Sequence, residues 1–126
     1  MTALDRFSPL TQRWFAGTFP APTPAQAEAW ESIADGDDTL VVAPTGSGKT
    51  LAAFLWAIDR LAHSVGEHGT RVLYVSPLKA LAIDVERNLR TPLAGIARVA
   101  EQEGQPAPQI TVGVRSGDTP PQARRQ

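Results

Sequence analysis

Two kinds of apolar spacing alternate along this chain. Three short runs are almost continuously apolar: Thr39-Leu40-Val41-Val42-Ala43, Arg71-Val72-Leu73-Tyr74-Val75-Ser76 and Gln109-Ile110-Thr111-Val112-Gly113-Val114. Their β-branched and aromatic content, without strict alternation, predicts strands buried on both faces. Between them the apolar residues switch to helical spacing. Leu51, Phe54, Leu55, Ile58 and Leu61 predict a helix from about Lys49 to Ser64. Leu81, Val85 and Leu89 predict another from near Leu78, interrupted by Pro92 and resumed through Leu93, Ile96 and Val99. An earlier helix is expected from Pro24 or Ala25 to about Ile33, with Thr23 as N-cap and Pro24 tolerated at the first position. The residues before it, proline-rich around Pro20-Ala21-Pro22-Thr23-Pro24, are expected to be irregular. Gly66 and Gly69 mark a turn. Alternating strands and helices imply an α/β fold, a parallel sheet with flanking helices and right-handed crossovers. Ligands in such sheets bind beyond the carboxyl ends of the strands.

Composition narrows the class without naming a function. A chain of 126 residues has the size of one small domain, and 42% hydrophobic content with a net charge of −1 is that of a soluble globular protein. No run of 18 apolar residues is present, so neither a membrane span nor a membrane partner is expected. The first residues lack a basic segment followed by an apolar one, so no secretory signal is expected. Zero cysteines exclude disulfides and thiolate metal sites, and fit a cytoplasmic location. His63 and His68 have no carboxylate at ligand spacing and read as solvated loop residues. Residues 71–126 carry eight basic groups against five acids, whereas residues 1–70 carry four against eight. That modest asymmetry suits a nucleic-acid face as well as an ordinary solvated surface.

The chemistry concentrates after the first apolar run, at Ala43-Pro44-Thr45-Gly46-Ser47-Gly48-Lys49-Thr50. This matches the phosphate-binding loop, with Ala43 where the general pattern has its first glycine. Gly46 and Gly48 let the backbone curl its N–H groups around an anion. Lys49 supplies a point charge for β- and γ-phosphates, and the Thr50 hydroxyl is a hard oxygen ligand suited to Mg²⁺. Thr45, Gly46, Ser47, Gly48, Lys49 and Thr50 are therefore the expected binding residues for a nucleoside triphosphate, Thr50 also for its Mg²⁺, with Lys49 and Thr50 as the catalytic pair. A strand before the loop and a helix after it supply the context the motif needs, because the helix N-terminus is partially positive.

Two other strand ends carry polar groups. Ser76-Pro77-Leu78-Lys79 precedes a predicted helix N-terminus, a combination suited to a second phosphate. Arg115-Ser116-Gly117-Asp118-Thr119 follows the third run. Upstream, Gln26 offers an amide able to pair with both a donor and an acceptor on a purine edge. Phe7, Trp14 and Phe19 are of the type that stacks on adenine, but core packing explains most of them better.

In this order and spacing, PTPAQAEAW, LVVAPTGSGKTLAAFLWAIDRL, VLYVSPLKALAIDVERNLRTPL and VRSGDTPPQARR resemble the first RecA-like domain of superfamily 2 helicases, and more narrowly the Lhr (large helicase-related) family. The resemblance covers about residues 7 to 125. It implies an ATP-driven motor on single-stranded DNA or RNA. Gln26 would be the adenine-reading glutamine, Ser76, Pro77, Leu78 and Lys79 the segment gripping the sugar-phosphate backbone, and Arg115, Gly117 and Thr119 a further strand-contacting loop. Residues 1–37 would form a segment bearing the adenine motif, and residues 38–126 part of a RecA-like domain. In that fold a strand later than Gln126 lies beside the phosphate-loop strand. No Asp-Glu dipeptide occurs, so the acidic motif that completes Mg²⁺ binding is missing. The expectation is thus a truncated domain, the amino-terminal piece of a longer helicase. A free-standing nucleotide-sensing module is the second reading; a small phosphate-loop kinase, the third, leaves SPLKALA and RSGDT unexplained.

Overall fold

A computed structural model describes residues 2–44, 48–64, 69–116 and 120–124. A 3₁₀ turn, Ala3–Arg6, leads into α1 (Pro9–Thr18), α2 (Pro24–Ala34), α3 (Lys49–Ala62), α4 (Lys79–Gln102) and the short α5 (Pro121–Arg124). Helix α2 starts where its sequence demands. The Thr23 hydroxyl accepts from the Gln26 N–H at 3.2 Å, while Gln26 Oε1 accepts from the Thr23 N–H at 3.0 Å. This reciprocal capping box satisfies two backbone donors that a helix start would otherwise leave unbonded.

Two expectations need correction. The amino-terminal third is not irregular, because α1 occupies ten of its residues. Ser8 caps it and Pro9 takes the first position. Leu10, Trp14 and Phe15 then form a buried face at helical spacing. Nor does Pro92 interrupt its helix: α4 runs unbroken for 24 residues with Pro92 inside. Proline costs one i→i−4 bond and crowds the carbonyl four residues back. Here its ring is buried beside the buried Leu89 and Ile96, and that packing offsets the loss.

The core lies between the helices. Phe7, Phe15 and Trp30 pack edge to face, with Trp30 5.0 Å from Phe7 and 5.6 Å from Phe15. Leu55, Ile58 and Ile96 close it from α3 and α4. Gly95 lets α4 approach α1, since a Cβ there would collide with Trp14 Nε1. The Arg13–Glu103 ion pair joins the same two helices' neighbourhoods nearer the end of α4. Phe7 and Trp14 are thereby core residues, and Phe19 packs on Trp14 and Phe15.

The described residues contain no β-strand. The three apolar runs lie outside the helices and largely in solvent: Leu40 is 89% and Leu73 83% exposed. Their composition has the strand signature, but a strand exists only as part of a hydrogen-bonded ladder with a neighbour about 4.8 Å away. The helices cover one another instead. Among the described residues, no helix is long and apolar enough to cross a membrane, and no group of three or more metal-ligating side chains is present.

Candidate functional site

Helix α3 begins at the phosphate loop. Its N-cap is Gly48, at φ 78° and ψ 30°, with no side-chain hydrogen bond to the helix end. This left-handed conformation is one that glycine adopts freely. A helix start without a side-chain cap presents its first-turn N–H groups outward, where the helix dipole is positive. Lys49 and Thr50 are the first two helical residues, Lys49 exposed and Thr50 half-buried. Thr45, Gly46 and Ser47 lie outside the described residues.

Gln26 meets the loop from α2. It is 4% exposed, and its Nε2 donates to the Gly48 carbonyl at 3.2 Å. That carbonyl also accepts the Ala52 N–H at 3.0 Å, the first bond of α3. One side chain therefore caps α2 and fastens the phosphate loop. A primary amide offers two hydrogens and two lone pairs. The Thr23 and Gly48 bonds use one of each. One turn on, Trp30 Nε1 donates to the Leu51 carbonyl at 2.9 Å. Helix α2 is thus bonded twice to the first turns of α3.

The other expected groups stand at the ends of the second and third apolar runs. Ser76 Oγ accepts from the Leu78 N–H at 3.4 Å, a local turn that delivers the chain to α4. Leu78 is the N-cap and makes no side-chain cap bond, and Pro77, Leu78 and Lys79 are exposed. Arg115 is exposed, with Nη1 donating to the Val114 carbonyl at 2.9 Å. Gly117 and Thr119 lie outside the described residues. His63 Nδ1 lies 2.7 Å from the Asp59 carbonyl, at the end of α3; His68 is outside the described residues.

Sequence reasoning missed Asp59 and the indole bond of Trp30. A signal for Asp59 was present: it falls four residues after Leu55, a charge on the apolar stripe of α3.

Comparison with known proteins places this arrangement. The "Lhr helicase/ probable uracil glycosylase" of Mycolicibacterium smegmatis is 73% identical over 97% of this chain, which spans 8% of that protein. The "ATP-dependent helicase Lhr-Core" of Methanocaldococcus jannaschii is 43% identical over 86% of this chain and 13% of its own length. A solved structure of Mycobacterium smegmatis helicase Lhr bound to ssDNA and AMP-PNP aligns with a TM-score of 0.92 at 72% identity, covering 99% of this chain and 16% of that one. The DEAD/DEAH box helicase family model matches residues 23–115, from the cap of α2 to Arg115, and this chain belongs to that family.

Proposed function

We propose that this chain is the nucleotide-binding part of a longer Lhr-type, ATP-dependent helicase that translocates on single-stranded DNA or RNA. The carrying observation is the junction of Gln26 with the uncapped start of α3. In this reading the Gln26 amide is the purine reader and the start of α3 the phosphate binder, and the 3.2 Å bond between them supports their acting on one nucleotide. The 0.92 TM-score against an Lhr helicase supports the same reading.

Each residue has a role in this reading. Thr45, Gly46, Ser47 and Gly48 bind the triphosphate. Lys49 neutralises charge that builds on the β- and γ-phosphate oxygens as water adds to the γ-phosphorus and its bond to the bridging oxygen breaks. The Thr50 hydroxyl is the oxygen that holds Mg²⁺, whose positive charge screens the phosphates when bound. Gln26 selects adenine with its side-chain amide. Ser76, Pro77, Leu78 and Lys79 hold one phosphate of the single strand at the start of α4; Arg115, Gly117 and Thr119 hold the next. Residues 1–37 carry the adenine motif, and residues 38–126 form part of the first RecA-like domain. In the longer protein the runs 39–43, 71–76 and 109–114 pair as parallel strands with a strand supplied from elsewhere in the chain. Their exposed apolar side chains support that reading, because parallel strands are buried on both faces.

Steady-state ATP hydrolysis by the longer protein, with and without single-stranded DNA, tests the proposal. Turnover should rise on adding the strand. Turnover indifferent to any single-stranded nucleic acid would favour a nucleotide sensor over a motor.

A further inference from the structure

Asp59 is a buried carboxylate that the phosphate chemistry does not use. It is 6% exposed and gathers three donors from the start of α1. Its Oδ1 accepts from Ser8 Oγ at 2.6 Å and from Thr11 Oγ1 at 2.6 Å, and its Oδ2 accepts the Ser8 N–H at 3.2 Å. Ser8 is the N-cap of α1, so the carboxylate also faces the positive end of that helix. A side chain of the phosphate-loop helix thereby fixes where α1 begins.

The consequence reaches the Gln26–Gly48 junction through Phe7. Its ring sits 5.0 Å from Trp30 of α2 and 5.4 Å from Trp56 of α3, edge to face with both. Trp30 is fully buried and bonded to the Leu51 carbonyl, and Gln26 lies one turn before it on α2. Helix α2 can therefore slide along α3 only if Phe7 moves, and Phe7 adjoins the Ser8 that Asp59 holds. Asp59 stands eleven positions after Gly48, a rise of about 16 Å along the helix. At that distance Asp59 touches neither phosphate nor base. An apolar side chain would fill the site without the cost of burying a charge. What the carboxylate adds is direction, three hydrogen bonds that admit one placement of α1.

We propose that Asp59 is a positioning residue for nucleotide selection: by holding Ser8 and Thr11 it sets Phe7 against Trp30, and so sets the Gln26 amide over Gly48. The inference rests on the reading of Gln26 and the phosphate loop as the nucleotide site.

The test measures ATP and GTP hydrolysis by the longer helicase, separating KM from kcat, with unfolding followed by circular dichroism. Asp59→Ala should raise KM for ATP by about tenfold and lower the preference for ATP over GTP, with kcat changed less, as displacement of a binding group predicts. Asp59→Asn should fall between, since it keeps the oxygen that takes both hydroxyls but turns an N–H₂ toward the Ser8 N–H. If Asp59→Ala fails to fold, the Ser8→Ala, Thr11→Val double variant removes the two hydroxyl donors from the other side and should show the same KM shift. Gln26→Ala runs in parallel. A raised KM in Gln26→Ala, with Asp59 and Ser8/Thr11 variants that lose thermal stability yet keep wild-type KM and nucleotide preference, would overturn the proposal and leave the site intact. An unchanged KM in Gln26→Ala as well would overturn both.

Discussion

Replacing Gly48 with alanine tests the junction on which the site depends. Gly48 has φ 78°, and a Cβ there would collide with Gln26 Nε2 and lie 3.1 Å from its Cδ. A left-handed backbone costs a residue with Cβ about 1–2 kcal/mol. The Gln26 side chain is flexible enough to swing aside, but doing so breaks the 3.2 Å bond to the Gly48 carbonyl inside a buried site. Losing that bond costs about 1 kcal/mol more. The two terms make about 2–3 kcal/mol, which at about 1.4 kcal/mol per tenfold is a loss of about 30- to 140-fold in affinity if the loop must hold this conformation to bind phosphate. Titration of the longer protein with a fluorescent ATP analogue measures it, with circular dichroism confirming the fold. Affinity within about threefold of wild type would mean that neither the left-handed cap nor the Gln26 bond matters to nucleotide.

Three further outcomes follow from other parts of the structure. Lys79→Ala should weaken single-strand binding and lower the log–log salt slope by about 0.7, read by fluorescence anisotropy at several salt concentrations; an unchanged slope would make Lys79 a solvated surface residue. Gly95→Ala should destabilise the fold by about 1–3 kcal/mol, because its Cβ would meet the Trp14 indole between α1 and α4, and a thermal melt at the wild-type Tm would contradict that packing. The 126 residues on their own should bind a hydrophobic dye and unfold without a cooperative transition, given the exposure of Leu40, Val42, Leu73 and Val75; a sharp urea transition with micromolar ATP binding would favour a free-standing nucleotide-sensing module.

What the sequence made legible was local. Thr23-Pro24-Ala25-Gln26 contains the whole of its capping box, so the start of α2 could be read from four residues. The stripe from Leu51 to Ile58 likewise marks α3, whose hydrophobic face does not depend on distant chain. Helix α1 carried the same signals in Ser8-Pro9-Leu10, but they were outweighed by the prolines that follow at Pro20, Pro22 and Pro24. Pro92 misled because its cost is local while its compensation, burial among other helices, is not. The strands show the limit most clearly: runs such as Leu73-Tyr74-Val75 have strand chemistry, but the ladder depends on a partner strand that local pattern does not reveal. At the candidate site, Lys49 and Thr50 were expected from motif spacing and Gln26 from its amide and the family resemblance; what the structure adds is the bond from Gln26 to the Gly48 carbonyl. The Asp59–Ser8–Thr11 cluster, spanning about fifty residues of sequence, was not.

The most direct test of the central claim is Lys49→Ala in the longer helicase, assayed for ATP hydrolysis with saturating single-stranded DNA and, separately, for strand binding. If the start of α3 is the triphosphate cradle, hydrolysis should be abolished, because the positive charge that stabilises the γ-phosphoryl group in transit is gone. Strand affinity should remain near wild type. Turnover within about a factor of two of wild type would contradict the account, since a charge aimed at the reacting phosphate cannot be removed at so small a kinetic cost.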